Sequence, residues 1–312
     1  MDIGIISNRV IQVGWLQVGV NWYYLGNDGK MRTGWQKIDG YWYYFNLGDS
    51  GKMLTGWQKI SSVWYYLGTD GKMCTGWKQV SGKWYYLGAD GKMRTGWQTI
   101  DEEKYYFNLG DSGSMVVGWK KIDGYYYYFE ANGVMRTTAF VDSKCYYKFY
   151  ASGKLCCVES RITRQVQEKS NWCWAACASM AGEYITGTRI SQSDIAKKFN
   201  LFAFNLPIIG DENAIKVLNY ASGITWNVAG ATEFDFQDAV DKLDSKKIFG
   251  LHISWEHSGH MVICGGYRLS DQSLRIVDPI NDSEPNYYKY YKLRTKQELM
   301  SGTGTWDRTY EY

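Results

Sequence analysis

Through its N-terminal half the chain alternates short aromatic runs with polar, glycine-bearing turns on a nearly constant period. Gly-Trp occurs at Gly14-Trp15, Gly34-Trp35, Gly56-Trp57, Gly76-Trp77, Gly96-Trp97 and Gly118-Trp119, at steps of 20, 22, 20, 20 and 22 residues. In the first four copies an aromatic triplet follows: Trp22-Tyr23-Tyr24, Trp42-Tyr43-Tyr44, Trp64-Tyr65-Tyr66 and Trp84-Tyr85-Tyr86. Short aromatic segments bounded by Asp-Gly or Ser-Gly predict one β-hairpin per copy. So short a hairpin cannot bury its own face, which predicts that successive hairpins stack into a solenoid. The two longer steps coincide with expanded turns at Asn46–Gly51 and Asn108–Gly113, so the strands are expected to keep their register. The last copy, around Phe140 and Tyr146-Tyr147, lacks Gly-Trp and reads as a terminal cap.

From Val158 the pattern changes. Ala175 to Gly182 is small and apolar, as in a buried helix, and Asn171 stands where it would cap that helix. Ser193 to Phe199 opens on a capping residue with helical spacing, and Asp211 to Tyr220 and Phe234 to Leu243 read likewise. Ile248 to Ser254, Met261 to Tyr267 and Leu274 to Val277 alternate or run apolar as strands. Two domains are expected: a β-hairpin solenoid over residues 1–157 and an α+β domain over residues 158–312.

Composition sharpens this division. Ten of the 15 tryptophans precede residue 120, all three histidines lie between residues 252 and 260, and no proline precedes Pro207. Residues 1–157 carry 18 basic and 13 acidic side chains, and residues 158–312 carry 17 and 19. The basic excess is too dilute for a nucleic-acid footprint. No apolar run is long enough to span a membrane. The opening Met1-Asp2-Ile3-Gly4-Ile5-Ile6 lacks the basic and apolar regions of a signal peptide, so secretion is expected after removal of such a segment or by another route. The seven cysteines are irregularly spaced, with neither zinc-site spacing nor a regular disulfide framework.

Strand alternation puts Trp42 and Tyr44 on one face and Tyr43 on the other. Trp35, Trp42 and an aromatic of the next hairpin would then surround a small pocket at each junction. Such a box suits a quaternary ammonium, at roughly 0.5–2 kcal/mol per contact; the plainer alternative is that the rings only fill the core. The candidate binding residues are Trp15, Trp22, Tyr24, Trp35, Trp42, Tyr44, Trp57, Trp64, Tyr66, Trp77, Trp84 and Tyr86. The pattern from Thr33-Gly34-Trp35 to Tyr43-Tyr44-Phe45 resembles the choline-binding, or cell-wall-binding, repeat of secreted Gram-positive proteins over about residues 10–155. The resemblance implies a solenoid that anchors its protein to choline on teichoic acids; related repeats bind carbohydrate instead. Lys104 and Tyr126 depart from the pattern, which favours the junctions on Trp35, Trp57 and Trp77.

In the second half, Ser170-Asn171-Trp172-Cys173-Trp174-Ala175-Ala176 sets a thiol at the mouth of the apolar helix, with Gln167 six positions before it. A thiolate attacks a carbonyl and needs local positive potential, which the first turn of a helix supplies. His260 heads the strand Met261-Val262-Ile263-Cys264, and Asp278 follows the neighbouring strand, so the two can lie side by side as base and orienting carboxylate. Gln167 has the character of an oxyanion donor beside the Cys173 N–H. Cys177 reads as an inert core thiol. His252, His257 and His260 could instead form a metal site, but a His-Glu-x-x-His spacing is absent.

Together these residues resemble the papain-like cysteine peptidases over about residues 160–280. They are most similar to compact bacterial members such as secreted effector proteases and bacteriocin leader peptidases. The resemblance implies Cys173 as nucleophile, His260 as general base and then acid, Asp278 as orienter and Gln167 as oxyanion donor, with no cofactor or metal. Aspartate rather than asparagine in the third role departs from papain itself. The reading is a secreted, surface-attached cysteine peptidase acting on proteins or peptides and held by choline-bearing teichoic acid or another wall polysaccharide. The alternatives are a peptidoglycan hydrolase and a catalytically inactive adhesin or toxin-like binding protein.

Overall fold

The computed structural model describes residues 12–48, 51–200, 205, 207, 210–230, 234–255, 258–280, 286–295, 297–299 and 302–312. Its first part is a series of two-stranded antiparallel hairpins: β1 (Gly14–Val18) with β2 (Asn21–Leu25), β3 (Gly34–Ile38) with β4 (Tyr41–Phe45), β5 (Gly56–Ile60) with β6 (Val63–Leu67), β7 (Gly76–Val80) with β8 (Lys83–Leu87), β9 (Gly96–Ile100) with β10 (Glu103–Phe107), and β11 (Gly118–Ile122) with β12 (Tyr125–Phe129). From β3–β4 onward their tips are two-residue turns with both residues left-handed, as at Asp39-Gly40 (φ 49° and 85°) and Ser81-Gly82 (φ 49° and 78°). This turn matches the right-handed strand twist and favours Asp-Gly or Ser-Gly.

Stacking is carried by the backbone. The N–H of Met53, beyond β4, donates to the Trp22 carbonyl on β2 at 2.7 Å, and Met73 to Trp42, Met93 to Trp64 and Met115 to Trp84 repeat the bond at 2.7–2.8 Å. From β4 onward the last residue of the second strand forms the core: Phe45, Leu67, Leu87, Phe107 and Phe129 are fully buried. Trp22, Trp42 and Trp84 stay about two-fifths exposed (39, 41 and 42 %). The plainer reading, that every aromatic ring is core, therefore fails for these tryptophans. The core is a Phe/Leu spine, and much of the indole surface is left to solvent.

The second part is α+β. Strands β13 (Phe140–Val141), β14 (Cys145–Phe149) and β15 (Leu155–Ser160) precede α1 (Cys173–Thr186), α2 (Gln192–Lys198) and α3 (Asp211–Ser222). Then come β16 (Asn227–Gly230), α4 (Phe236–Asp244), β17 (Phe249–Ser254), β18 (Gly259–Arg268), β19 (Ser273–Val277), β20 (Asn286–Lys289), α5 (Tyr290–Thr295), β21 (Gln297–Leu299) and β22 (Gly302–Glu311). All strand pairs in the sheet are antiparallel, in the order β13-β14-β15-β18-β17-β22-β16, with β19 on the other edge of β18. The segment read as a terminal cap, β13 and β14, is thus the edge of this sheet. Compact units divide the chain accordingly: residues up to Lys120 with Tyr128–Met135 form one, and Lys121–Tyr127 with Arg136–Tyr312 the other.

Helix α1 packs its small side chains against β18 and α3. Ala175, Ala176, Cys177, Ala178 and Ala181 have no exposed surface. A Cβ at Gly182 would come within 2.3 Å of the Ala221 carbonyl oxygen, so only glycine allows the α1–α3 approach. Neither expected cap forms. Helix α2 is capped by Ser191, which accepts from the Asp194 N–H at 3.0 Å, while Ser193 turns to the Glu168 carboxylate at 2.7 Å. The residue before α1 is Trp172, which makes no capping bond, and Asn171 does not cap the helix because both its side chain and its N–H are bonded to Asn205.

Candidate active site and aromatic boxes

Cys173 is the first residue of α1. No side chain caps that end and no acidic residue lies in the first turn, so the positive end of the helix is left unneutralised at the thiol. One helix turn on, Cys177 is buried with its thiol on the Met261 carbonyl, and burial pushes its pKa well up, as befits a core thiol.

His260 lies on β18, only 2 % exposed. Its Nε2 bonds Asp278 Oδ1 at 2.8 Å, and the imidazole lies close enough to the Cys173 thiol to draw the thiol pKa down. With Nε2 taken by the carboxylate, Nδ1 is the nitrogen left for sulfur. The register sets Ile263 opposite Val277, so Asp278 emerges beside the stretch of β18 that carries His260. Asp278 is held in turn: Oδ1 also accepts from the Ile280 N–H at 3.1 Å, and its carbonyl accepts Arg164 Nε and Nη2 at 3.0 and 2.7 Å.

Burial opposes charge at both titrating groups, and the partners overcome it. Burial alone would raise the Cys173 pKa, but the His260 hydrogen bond and charge, with backbone bonds at Met261 and Trp174, bring it below the ordinary thiol value. Burial alone would lower that of His260, but the Asp278 and Cys173 bonds raise it to about 9. Both shifts run toward the thiolate–imidazolium form of the pair.

The surroundings include residues the sequence did not single out. The Trp255 ring stacks on His260, centroids 5.1 Å apart and planes 19° from parallel, covering the imidazole with an apolar surface. His252 bonds Asp307 through Nδ1 at 2.7 Å, and Ser254 donates to the other Asp307 oxygen at 2.6 Å. A Cβ at residue 259 would fall 2.2 Å from His252 Nε2, so Gly259 is the space in which the His252 ring lies. His257 lies outside the described residues. Cys173, His260, Trp255, His252 and Arg308 share one cleft of about 400 Å³. Gln167 is not among the residues that line it. Its N–H is held by the Pro279 carbonyl at 2.7 Å and its Nε2 donates to the Ser170 carbonyl at 2.7 Å.

The hairpins form boxes of one kind. Trp35 meets Trp42 (6.3 Å between ring centroids) and Tyr44 (5.0 Å) of its own hairpin and Tyr65 (4.9 Å) of the next. Trp15 meets Trp22, Tyr24 and Tyr43; Trp57 meets Trp64, Tyr66 and Tyr85; Trp77 meets Trp84, Tyr86 and Tyr105. The wall supplied by the neighbour is the middle tyrosine of its triplet, which strand alternation alone puts on the wrong face. At the next junction Lys104 stands across from Thr99, in the place of the second tryptophan. The Trp57 box has one more partner. Asp111, from the expanded turn, accepts from Trp64 Nε1 at 3.0 Å and from Lys59 at 2.8 Å.

Comparison with known proteins divides the chain in two. Residues 13–55, 54–95 and 116–156 match the choline-binding repeat and residues 95–115 the cell wall binding repeat. Residues 159–311 match the Peptidase_C39 like family. Among solved structures, CbpJ from Streptococcus pneumoniae TIGR4 is 40 % identical over 46 % of this chain and 52 % of its own, with a TM-score of 0.44. Choline binding protein F from Streptococcus pneumoniae is 43 % identical over 46 % of this chain and 51 % of its own, at 0.42. The modular autolysin LytC from the same organism is 27 % identical over 50 % of this chain and 35 % of its own, at 0.39. The chain thus spans about half the length of the first two. No protein of curated function matches it.

Proposed function

From choline-binding repeats at one end of the chain and a peptidase C39-like domain at the other, we propose a secreted cysteine peptidase that works at a bacterial cell surface. The repeats hold it to choline on teichoic acid or to another wall polysaccharide, and the second domain cuts a protein or peptide. The observation that carries this reading is the buried His260–Asp278 hydrogen bond, 2.8 Å long, in the same cleft as Cys173, the first residue of α1.

In the proposed reaction the Cys173 thiolate attacks the scissile carbonyl carbon and a C–S bond forms. The His260 imidazolium gives its Nδ1 proton to the leaving amine as the C–N bond breaks. His260 then takes a proton from water, whose oxygen attacks the thioester; the C–S bond breaks and the acid leaves. Asp278 holds the imidazole through Nε2 and favours its charged form. The Cys173 N–H is one oxyanion donor. Gln167 Nε2 is proposed as the second, since its bond to Ser170 takes only one of two hydrogens.

In the boxes, each first tryptophan and the three rings set edge to face around it offer a trimethylammonium group electron-rich surface with no water to strip from a fixed charge. The test uses the whole chain on casein and, separately, on purified cell walls. Casein cleavage that disappears in Cys173→Ala is expected; wall clearing without proteolysis would make the enzyme a peptidoglycan hydrolase. Retention on an amine-bearing resin and release by free choline test the anchor, and indifference to choline would remove that ligand.

A further inference from the structure

The cleft wall opposite the Cys173–His260 pair has a charge pattern that sheet stability does not explain. Across β17 and β22, His252 stands directly opposite Arg308, so both side chains leave the same face of the sheet. Directly opposed basic residues are unfavourable in a sheet. Here His252 has one carboxylate beside it, Asp307, and Arg308 has two, Asp211 and, at 3.9 Å, Asp307. The register steps from His252↔Arg308 to Ile253↔Trp306, which leaves Asp307 as the extra residue of a β-bulge. A bulge re-aims its extra side chain, and Asp307 turns to His252 Nδ1 at 2.7 Å instead of alternating away. Arg308 is fixed from α3: Nη1 bonds Asp211 Oδ1 at 3.2 Å, and Tyr310 donates to the same oxygen at 2.8 Å.

The result is asymmetric. His252, Arg308 and Tyr310 line the cleft, whereas Asp307 and Asp211 do not; among the described residues no carboxylate side chain lines it. Both basic groups are therefore presented to the substrate from anchored positions, and the Arg308 side chain, with Nη1 on Asp211 and Nη2 3.9 Å from Asp307, is still 41 % exposed toward a planar anion. We propose that this wall is a substrate subsite for a carboxylate: the chain bound across Cys173 sets an acidic side chain, or its own C-terminal carboxylate, against Arg308, with His252 Nε2 alongside. The inference rests on the peptidase reading of the cleft.

The test reads the subsite separately from peptide cleavage. Cys173 of the full chain is alkylated with iodoacetate or with its neutral counterpart iodoacetamide, and modification is followed by mass spectrometry. The iodoacetate-to-iodoacetamide rate ratio is expected to fall about fivefold or more in Arg308→Gln and to fall less in Arg308→Lys, which keeps the charge but not the fork. Comparing variants cancels the attraction of His260 for the anion. An unchanged ratio in Arg308→Gln overturns the proposal. Should that variant not fold, the original protein decides: an N-acetylated peptide containing glutamate and ending in a free carboxylate must shield Cys173 better than its twin with glutamine and a C-terminal amide, and equal shielding overturns the proposal. Internally quenched peptides bearing internal glutamate, or ending in a free carboxylate or an amide, then identify the source of the anion. If the ratio responds while no peptide is cut, the subsite stands and the peptidase reading falls.

Discussion

The repeat series and the C-terminal domain solve opposite problems. Each box is built within one hairpin and its neighbour, and the same four-ring plan recurs at Trp15, Trp35, Trp57 and Trp77. The Cys173 site occurs once and draws on a helix mouth, two strands and the loop after β19. A series tolerates the loss of one member, since the others still hold the ligand surface. A single site whose members polarise one another does not. The first is designed by repetition, the second by long-range register.

The sharpest way to break the comparison is Cys173→Ala. Peptide cleavage should fall by at least ~10³-fold, while retention on a choline resin should not change; a parallel loss of retention would mean that the two regions are not separate functions. Asp278→Ala comes next, with kcat lower by about 10²-fold or more. Its signature is in pH. In the proposed reaction His260 is the acid, and its pKa is raised to about 9, so activity should be sustained at neutral pH and lost as pH rises through about 9. On the acid side, activity is lost as the Cys173 thiolate takes up its proton, below the ordinary thiol pKa. Removing the Asp278 bond that raises the His260 pKa should move the alkaline limb to lower pH. A limb that stays in place would deny Asp278 this role.

What could be read from the sequence follows from the same contrast. The hairpins were legible because the turn chemistry and the aromatic triplets lie within one short period, and the Gln167, Cys173, His260 and Asp278 candidates because each sits in a local motif. The residues that escaped depend on geometry between elements. Tyr43, Tyr65, Tyr85 and Tyr105 become box walls only once one hairpin stacks on the next. Asp307 reaches His252 only because of a bulge that no residue pattern marks. Trp255 stacks on His260 across a strand connection, and Asn171 forgoes the helix cap because Asn205, distant in sequence, is nearby in space.

Within the repeats, core and box should separate cleanly. Phe45 is fully buried, and Phe45→Ala should destabilise by about 3–5 kcal/mol, visible as an early transition in thermal unfolding. Trp42 is 41 % exposed, and Trp42→Ala should leave that transition nearly in place. Choline affinity at its own junction should drop by about tenfold, while total retention on the resin falls far less. If Trp42→Ala unfolds the series, its indole is core after all and the box reading loses its basis.

The smallest effect expected is at Asp111. Its carboxylate is held by Lys59 and Trp64 on the surface, where an ion pair is screened by water and salt and adds little to stability. Thermal unfolding of Asp111→Ala should therefore match the original protein. The Trp64 indole N–H would lose its acceptor, which an assigned NMR resonance can follow directly, and one wall of the Trp57 box would be less firmly held. Choline should then bind more weakly at that junction alone, by less than the loss in Trp42→Ala. An equal weakening at the Trp35 and Trp77 junctions would mean that the boxes communicate, and the series would resemble the Cys173 site more than its repetition implies.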